Sequence, residues 1–258
     1  MHARTRSLVA AISATAALAA LPSAASAADF PLVGWWPMNE GSGQVVRDWS
    51  GHGNNGVLGN SPGVDSQDPT WIRGVFLGSA LRFDGGDLVQ IPDSPSLNVS
   101  KLTVAAWVRN STSPGENRYI LSKGSDQCVR AAYGLYTSSN GGVAFYVSDH
   151  DNFYRSPEAP ATVWDGQWHN VAGTFDGTTV RLYVDGKQIG NGTQGGGPID
   201  YGLAPGGGLI GNYNGTDRDG VECNLFMTGD VDGVQIWSQA LPVDIIWRTL
   251  SSLFQLSR

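Results

Sequence analysis

From residue 102 to 110 the chain reads LTVAAWVRN. An extended backbone sets Leu102, Val104, Ala106 and Val108 on one face and Thr103, Ala105, Trp107 and Arg109 on the other. Similar short runs recur at residues 119–122, 133–137, 143–148 and 168–175. Asp176-Gly177 separates VAGTF from TVRLYV, and Asp185-Gly186 separates RLYV from KQIG. Asp-Gly supplies the positive φ of a tight reverse turn, so each marks a hairpin. Strand-like runs with no helical spacers between them predict an antiparallel two-sheet sandwich rather than a parallel α/β sheet. Helical spacing is confined to residues 242–254, PVDIIWRTLSSLF, where Pro242 suits a first turn and Ile245, Ile246, Leu250 and Phe254 can share a face. That short C-terminal helix is predicted to cap one edge of the sandwich. No internal repeat appears, and the Gly-rich stretch 192–197 reads as a loop between strands, so one domain accounts for the chain.

The first 27 residues have a different pattern. His2, Arg4 and Arg6 precede the apolar run LVAAISATAALAALP and the small-residue site Ala25-Ser26-Ala27, the layout of a cleaved secretory signal. The run is shorter than the roughly 20 residues that a spanning helix needs. We therefore expect residues 1–27 to be removed, and residues 28–258 to fold as a secreted, extracellular domain with no membrane span. In an oxidising compartment the two cysteines, Cys128 and Cys223, are expected to form one bridge, since His or Cys partners for a metal are missing beside them. Net charge is −7 and there are only three lysines, too little basic surface for a phosphate-neutralising groove, so nucleic acid is excluded as a partner. Glycine supplies 35 residues and Trp, Tyr and Phe another 9, 8 and 8, which fits many turns between aromatic-rich strands. Asn98, Asn110, Asn191 and Asn214 head Asn-x-Ser/Thr sequons, relevant in a host that glycosylates.

The stretch WHNVAGTFDGTTVRLYVDGKQIG (residues 168–190) resembles the laminin-G-like branch of the concanavalin A-like lectin/glucanase jelly rolls. Three further stretches match that pattern in order: WWPMNEGSGQVVRDWSGHGNNGVL (35–58), ALRFDGGDLVQIP (80–92) and MTGDVDGVQIWSQAL (227–241). The resemblance covers nearly all of residues 28–258. It implies an all-β, two-sheet antiparallel jelly-roll sandwich; it does not choose among the functions such a fold carries. On this fold Trp35, Trp107, Trp168 and Trp237 fall in strand patterns and are expected in the core. His169 reads as a satisfied strand residue, because no nucleophile motif accompanies it.

Glycosidases of this superfamily use two nearby carboxylates, commonly Glu-x-Asp-x-x-Glu on one strand. The four glutamates here, Glu40, Glu116, Glu158 and Glu222, are widely separated and none opens that motif. Aspartate pairs occur at Asp149/Asp151, Asp217/Asp219 and Asp230/Asp232, the last on an expected strand. The chain is accordingly read as noncatalytic. The loop 48–56, DWSGHGNNG, offers oxygen ligands at alternate positions, and the resemblance places it near Asp232. Asp48, Asn54 and Asp232 are thus candidate ligands of one structural Ca²⁺, with a loop tied by Asx turns as the alternative.

For a larger ligand, the loops bounded by the cysteines offer Asp151, Tyr154, Asn212, Tyr213 and Arg218. They form an aromatic and polar set suited to sugar rings and hydroxyls, and equally found on unliganded surface loops. The leading expectation is a carbohydrate-binding module for an extracellular or cell-surface glycan. An adhesion domain that binds protein, and a glycoside hydrolase or polysaccharide lyase, are the alternatives.

Overall fold

The computed structural model describes residues 31–246 apart from 76–77, 126–127, 129, 214 and 216–218. The expected signal segment therefore lies outside the described residues. The first eight strands are β1 (Leu32–Trp36), β2 (Val45–Val46), β3 (Gly56–Leu58), β4 (Thr70–Arg73), β5 (Ser79–Asp84), β6 (Val89–Ile91), β7 (Leu102–Arg109) and β8 (Tyr119–Lys123). The next eight are β9 (Tyr133–Thr137), β10 (Val143–Ser148), β11 (Phe153–Arg155), β12 (His169–Phe175), β13 (Thr179–Val184), β14 (Lys187–Gln194), β15 (Gly208–Ile210) and β16 (Thr228–Trp237). They form two antiparallel sheets. One runs β14-β13-β12-β7-β16-β5-β4, with β1 pairing the second half of β16; the other runs β11-β10-β9-β8-β15-β6-β3-β2. This is the jelly-roll sandwich that the strand pattern and the resemblance imply.

Alternation decides what each face buries. In β7, Leu102, Val104, Ala106 and Val108 enter the core between the sheets, while Ala105 and Trp107 join a separate cluster on the outer side of the first sheet. The Asp185-Gly186 turn has φ of 49° and 71°, the pair of positive values that a two-residue hairpin requires. The Gly-rich stretch departs from its reading as a loop. Residues 192–194 extend β14, where pairing to β13 shifts register between Val180 and Leu182 and absorbs the irregularity.

Each sheet also has a cover on its outer side. On the first, Trp107, Trp237, Ala105, Ala172 and Tyr183 pack against Leu241, Ile245 and Ile246. Residues 243–246 are helical and the N–H groups of Ile245 and Ile246 donate to the Pro242 carbonyl, so the predicted helix begins as expected. It lies on the sheet's outer face rather than at an edge, because both isoleucines are buried against β-strand side chains; Leu250 and Phe254 lie outside the described residues. On the second sheet the outer cluster is Tyr119, Tyr136, Tyr146 and Tyr213 with Ala131 and Ala144, covered by Cys223 and Leu225. Of the four tryptophans expected in the core, Trp107 and Trp237 are buried, whereas Trp35 and Trp168 are half-buried. Among the described residues no helix is long and apolar enough to cross a membrane.

Candidate binding site

The cysteines form the expected bridge, Cys128–Cys223, with Cα atoms 5.6 Å apart. It ties the segment after β8 to an irregular hairpin that precedes β16. The arms of that hairpin are joined by N–H donations from Met227 to Gly211 O, Leu225 to Tyr213 O and Cys223 to Gly215 O. Its base turns at Gly211, with φ of 83°, where a Cβ would come within 2.2 Å of the Phe83 ring; only glycine fits.

Beneath this hairpin lies a cavity of about 460 Å³. Asn60, Gln67, Leu88, Ser125, Asn212 and Glu222 line it, along with Gly215, Asn224 and Phe226. Asn212 is fully buried, and neither its Oδ1 nor its Nδ2 has a hydrogen-bond partner among the described residues. The neighbouring amides are engaged: Asn60 accepts from Gln90 Nε2 on Oδ1 at 2.6 Å and donates from Nδ2 to Gln67 Oε1, and Asn224 Nδ2 donates to Glu222 Oε2 at 3.2 Å. A buried amide left unmet costs about 1–3 kcal/mol per group.

The other ligand-binding candidates separate from Asn212. Tyr213 is a correction: it is buried, its ring stacked on Tyr119 at 5.0 Å and its hydroxyl donating to the Arg130 carbonyl, so it presents no ring face to a sugar. In the irregular hairpin its side chain turns inward to the tyrosine cluster, which composition alone does not reveal. Asp151 sits at the exposed tip of a turn beside His150 and lines a different cavity of about 320 Å³ with Asp149 and residues 197–200. Tyr154 is half-buried, its hydroxyl donating to Asp149 Oδ2 at 2.8 Å. Arg218 lies outside the described residues.

The loop 48–56 is organised around Asp48. Its Oδ1 accepts the N–H groups of Trp35 and Ser50, and its Oδ2 accepts the Ser50 hydroxyl and the Asn54 N–H, all at 2.8–2.9 Å. Asn54 is buried and its Nδ2 donates to the Val33 carbonyl at 2.9 Å. Asp232 belongs to another contact, accepting the Val75 N–H on Oδ2 at 3.0 Å while its buried Oδ1 has no hydrogen-bond partner among the described residues. Burial pushes its carboxyl up to about 7, despite the N–H groups of Val75 and Gly233. The structure therefore joins Asp48 to Asn54 with both Asp48 oxygens already filled by protein donors. Among the described residues no group of three or more His, Cys, Asp or Glu is placed to hold a metal.

The Asp230/Asp232 pair is not open to a substrate as a pair. Asp232 is 1% exposed, and Asp230 accepts four bonds from Arg82 and Arg109. His169 is satisfied as expected, Nδ1 lying 2.7 Å from Asp185 Oδ2 and Nε2 3.1 Å from Asp165 Oδ1.

Two antiparallel sheets face to face, with polar cavities under the rim loops, define a lectin-type β-sandwich. The chain belongs to the concanavalin A-like lectin/glucanases superfamily, whose laminin-G-type family matches residues 83–246, more than half of its length. Domain 4 of AbnA, a GH43 extracellular arabinanase from Geobacillus stearothermophilus solved with arabinotriose, superposes with a TM-score of 0.62 at 16% identity, covering 89% of this chain and 99% of that one. Botulinum neurotoxin type C, whose cell entry depends on interaction with two ganglioside molecules, gives 0.60 at 13% identity over 88% of this chain and 53% of that one. The binding domain of botulinum neurotoxin DC, solved with rat synaptotagmin II, gives 0.59 at 11% identity over 86% and 52%. This chain spans about half the length of those two toxin chains. No curated protein matches it.

Proposed function

We propose that this protein is a secreted, noncatalytic module that binds a carbohydrate, with the cavity around Asn212 as the receptor. The observation that carries this reading is the fully buried Asn212 amide, whose donor and acceptor find no partner among the described residues. An amide offers one acceptor and two donors on a rigid plane, the complement of neighbouring hydroxyls on a sugar ring. Asn60, Gln67 and Ser125 add further polar groups from separate segments, and half-buried Phe226 adds an apolar surface. Support comes from the structural neighbours, one solved with arabinotriose and another dependent on gangliosides. The disulfide fits an extracellular home. A protein partner is the second reading, favoured by the neighbour solved with synaptotagmin II.

A glycan array with and without Ca²⁺, followed by calorimetry on Asn212→Leu, tests the proposal. Leucine keeps the branched heavy-atom shape of asparagine but is bulkier and removes the unmet amide, so a melting curve first checks that the variant is folded, and the folded variant is expected to lose at least about tenfold in glycan affinity. Unchanged affinity in the variant would move the site elsewhere. An array silent in both conditions, alongside capture of a purified cell-surface protein, would favour the second reading. A Ca²⁺-dependent rise in melting temperature would restore an ion to the loop 48–56.

A further inference from the structure

Strand register lines up three charged side chains across the first sheet. Arg82 on β5 stands opposite Asp230 on β16, and Asp230 stands opposite Arg109 on β7. Their neighbours Leu81, Phe83, Val108 and Val231 enter the core between the sheets, so alternation turns all three outward. Asp230 is nearly buried, with 5% of its side chain exposed, against 56% for Arg82 and 31% for Arg109. Arg82 donates from Nε to Oδ1 at 2.7 Å and from Nη2 to Oδ2 at 3.1 Å. Arg109 donates from Nε and Nη2 to Oδ2 at 2.8 and 2.6 Å. Each guanidinium thus spends the same edge on Asp230, and no hydrogen bond engages either Nη1 among the described residues. One carboxylate would be neutralised by a single arginine; the second leaves a surplus positive charge in a chain of net charge −7. The Arg109 guanidinium also lies over the Trp168 ring, 4.7 Å from its centroid, which fixes its free edge. A cavity of about 420 Å³, walled in addition by Ser111, Gly166 and Thr228, opens onto the row.

We propose that this row is a second binding site, one that takes a carboxylate-bearing sugar residue. A planar carboxylate matches a guanidinium edge in a way that a hydroxyl does not, and here two such edges are held in place by Asp230 and Trp168 before any ligand arrives. The site shares no lining residue with the Asn212 cavity and stands independently of it.

Calorimetric titration of the folded protein at low salt, with trigalacturonate and its fully methyl-esterified counterpart, tests the assignment. The parent is expected to bind the acid at least about tenfold more tightly than the ester, the worth of one charge-assisted hydrogen bond. Arg82→Gln is expected to erase that preference. It should melt close to the parent, because Arg109 still holds Asp230. Arg82→Lys, which keeps the charge and loses the fork, is expected to retain only part of the preference. Equal affinity for acid and ester, an unchanged preference in Arg82→Gln, or displacement of trigalacturonate by sodium sulfate as readily as by galacturonate at matched ionic strength would each overturn the proposal.

Discussion

The outer sides of the two sheets are both covered, by opposite means. Over the first sheet, Leu241, Ile245 and Ile246 seal Trp107 and Trp237 with apolar contact, and the Leu241 N–H donates to Thr103 Oγ1 at 2.8 Å. Over the second, the cover rests on four tyrosines, three of whose hydroxyls are hydrogen-bonded within the protein. Tyr119 and Tyr146 share a hydrogen bond at 3.0 Å, Tyr146 also accepts the Ala131 N–H at 2.7 Å, and Tyr213 donates to the Arg130 carbonyl. There the covering hairpin is also fastened covalently through Cys128–Cys223. The cover over the second sheet adjoins Asn212 and a cavity beside it. The Asn212 cavity thus goes with the tyrosine-covered sheet, and the arginine row with the sheet that carries the apolar cover.

Two substitutions would break this contrast. Trp237→Ala, at a side chain 3% exposed, is expected to cost about 3–5 kcal/mol in urea unfolding and to leave glycan affinity in the surviving folded fraction unchanged. The double variant Cys128→Ala/Cys223→Ala is expected to cost less, about 2–4 kcal/mol, yet to weaken glycan binding, because the hairpin over Asn212 loses its fastening. Equal effects of the two on affinity would mean that the covers are not functionally distinct. The smallest effect belongs to His169, next to the first cover. Burial alone would lower its pKa, but hydrogen bonds to Asp185 and Asp165 outweigh that and raise it above the usual 6.5. A raised value means that folding favours the protonated ring. The contribution is therefore full below pH 6.5 and fades as the pH climbs through the folded value. His169→Gln should cost under about 1 kcal/mol near pH 6 and nothing well above that value, read from melting curves across the range.

How far the sequence reached differs between these regions for physical reasons. Period-two alternation in β7 separated Leu102, Val104, Ala106 and Val108 from Trp107, and the structure keeps that division. It did not say which face is the core, and Trp107, expected there, lies in the outer cluster. Asp185-Gly186 located a hairpin because its backbone demand is local. Asn212 was legible as a candidate by residue type, but its burial was not, since the hairpin holding it has no regular period. The same irregularity hid the inward turn of Tyr213. Asn60, Gln67, Ser125 and Glu222 come from distant segments with no spacing that links them. The Arg82–Asp230–Arg109 row was invisible because it depends on which strands pair and in what register, and alternation within a strand says nothing about its neighbour.

Asn110 illustrates what such a register implies for handling the protein. Its Nδ2, the atom to which a host would attach an oligosaccharide, donates to the Thr228 carbonyl at 3.0 Å, and the residue borders the arginine row. Modification during export in a eukaryotic expression system would precede folding, leave Nδ2 a single hydrogen for that bond and plant a bulky chain at the mouth of the acidic-sugar site. Material from bacteria and from such a system would then differ in ligand preference while sharing every amino acid.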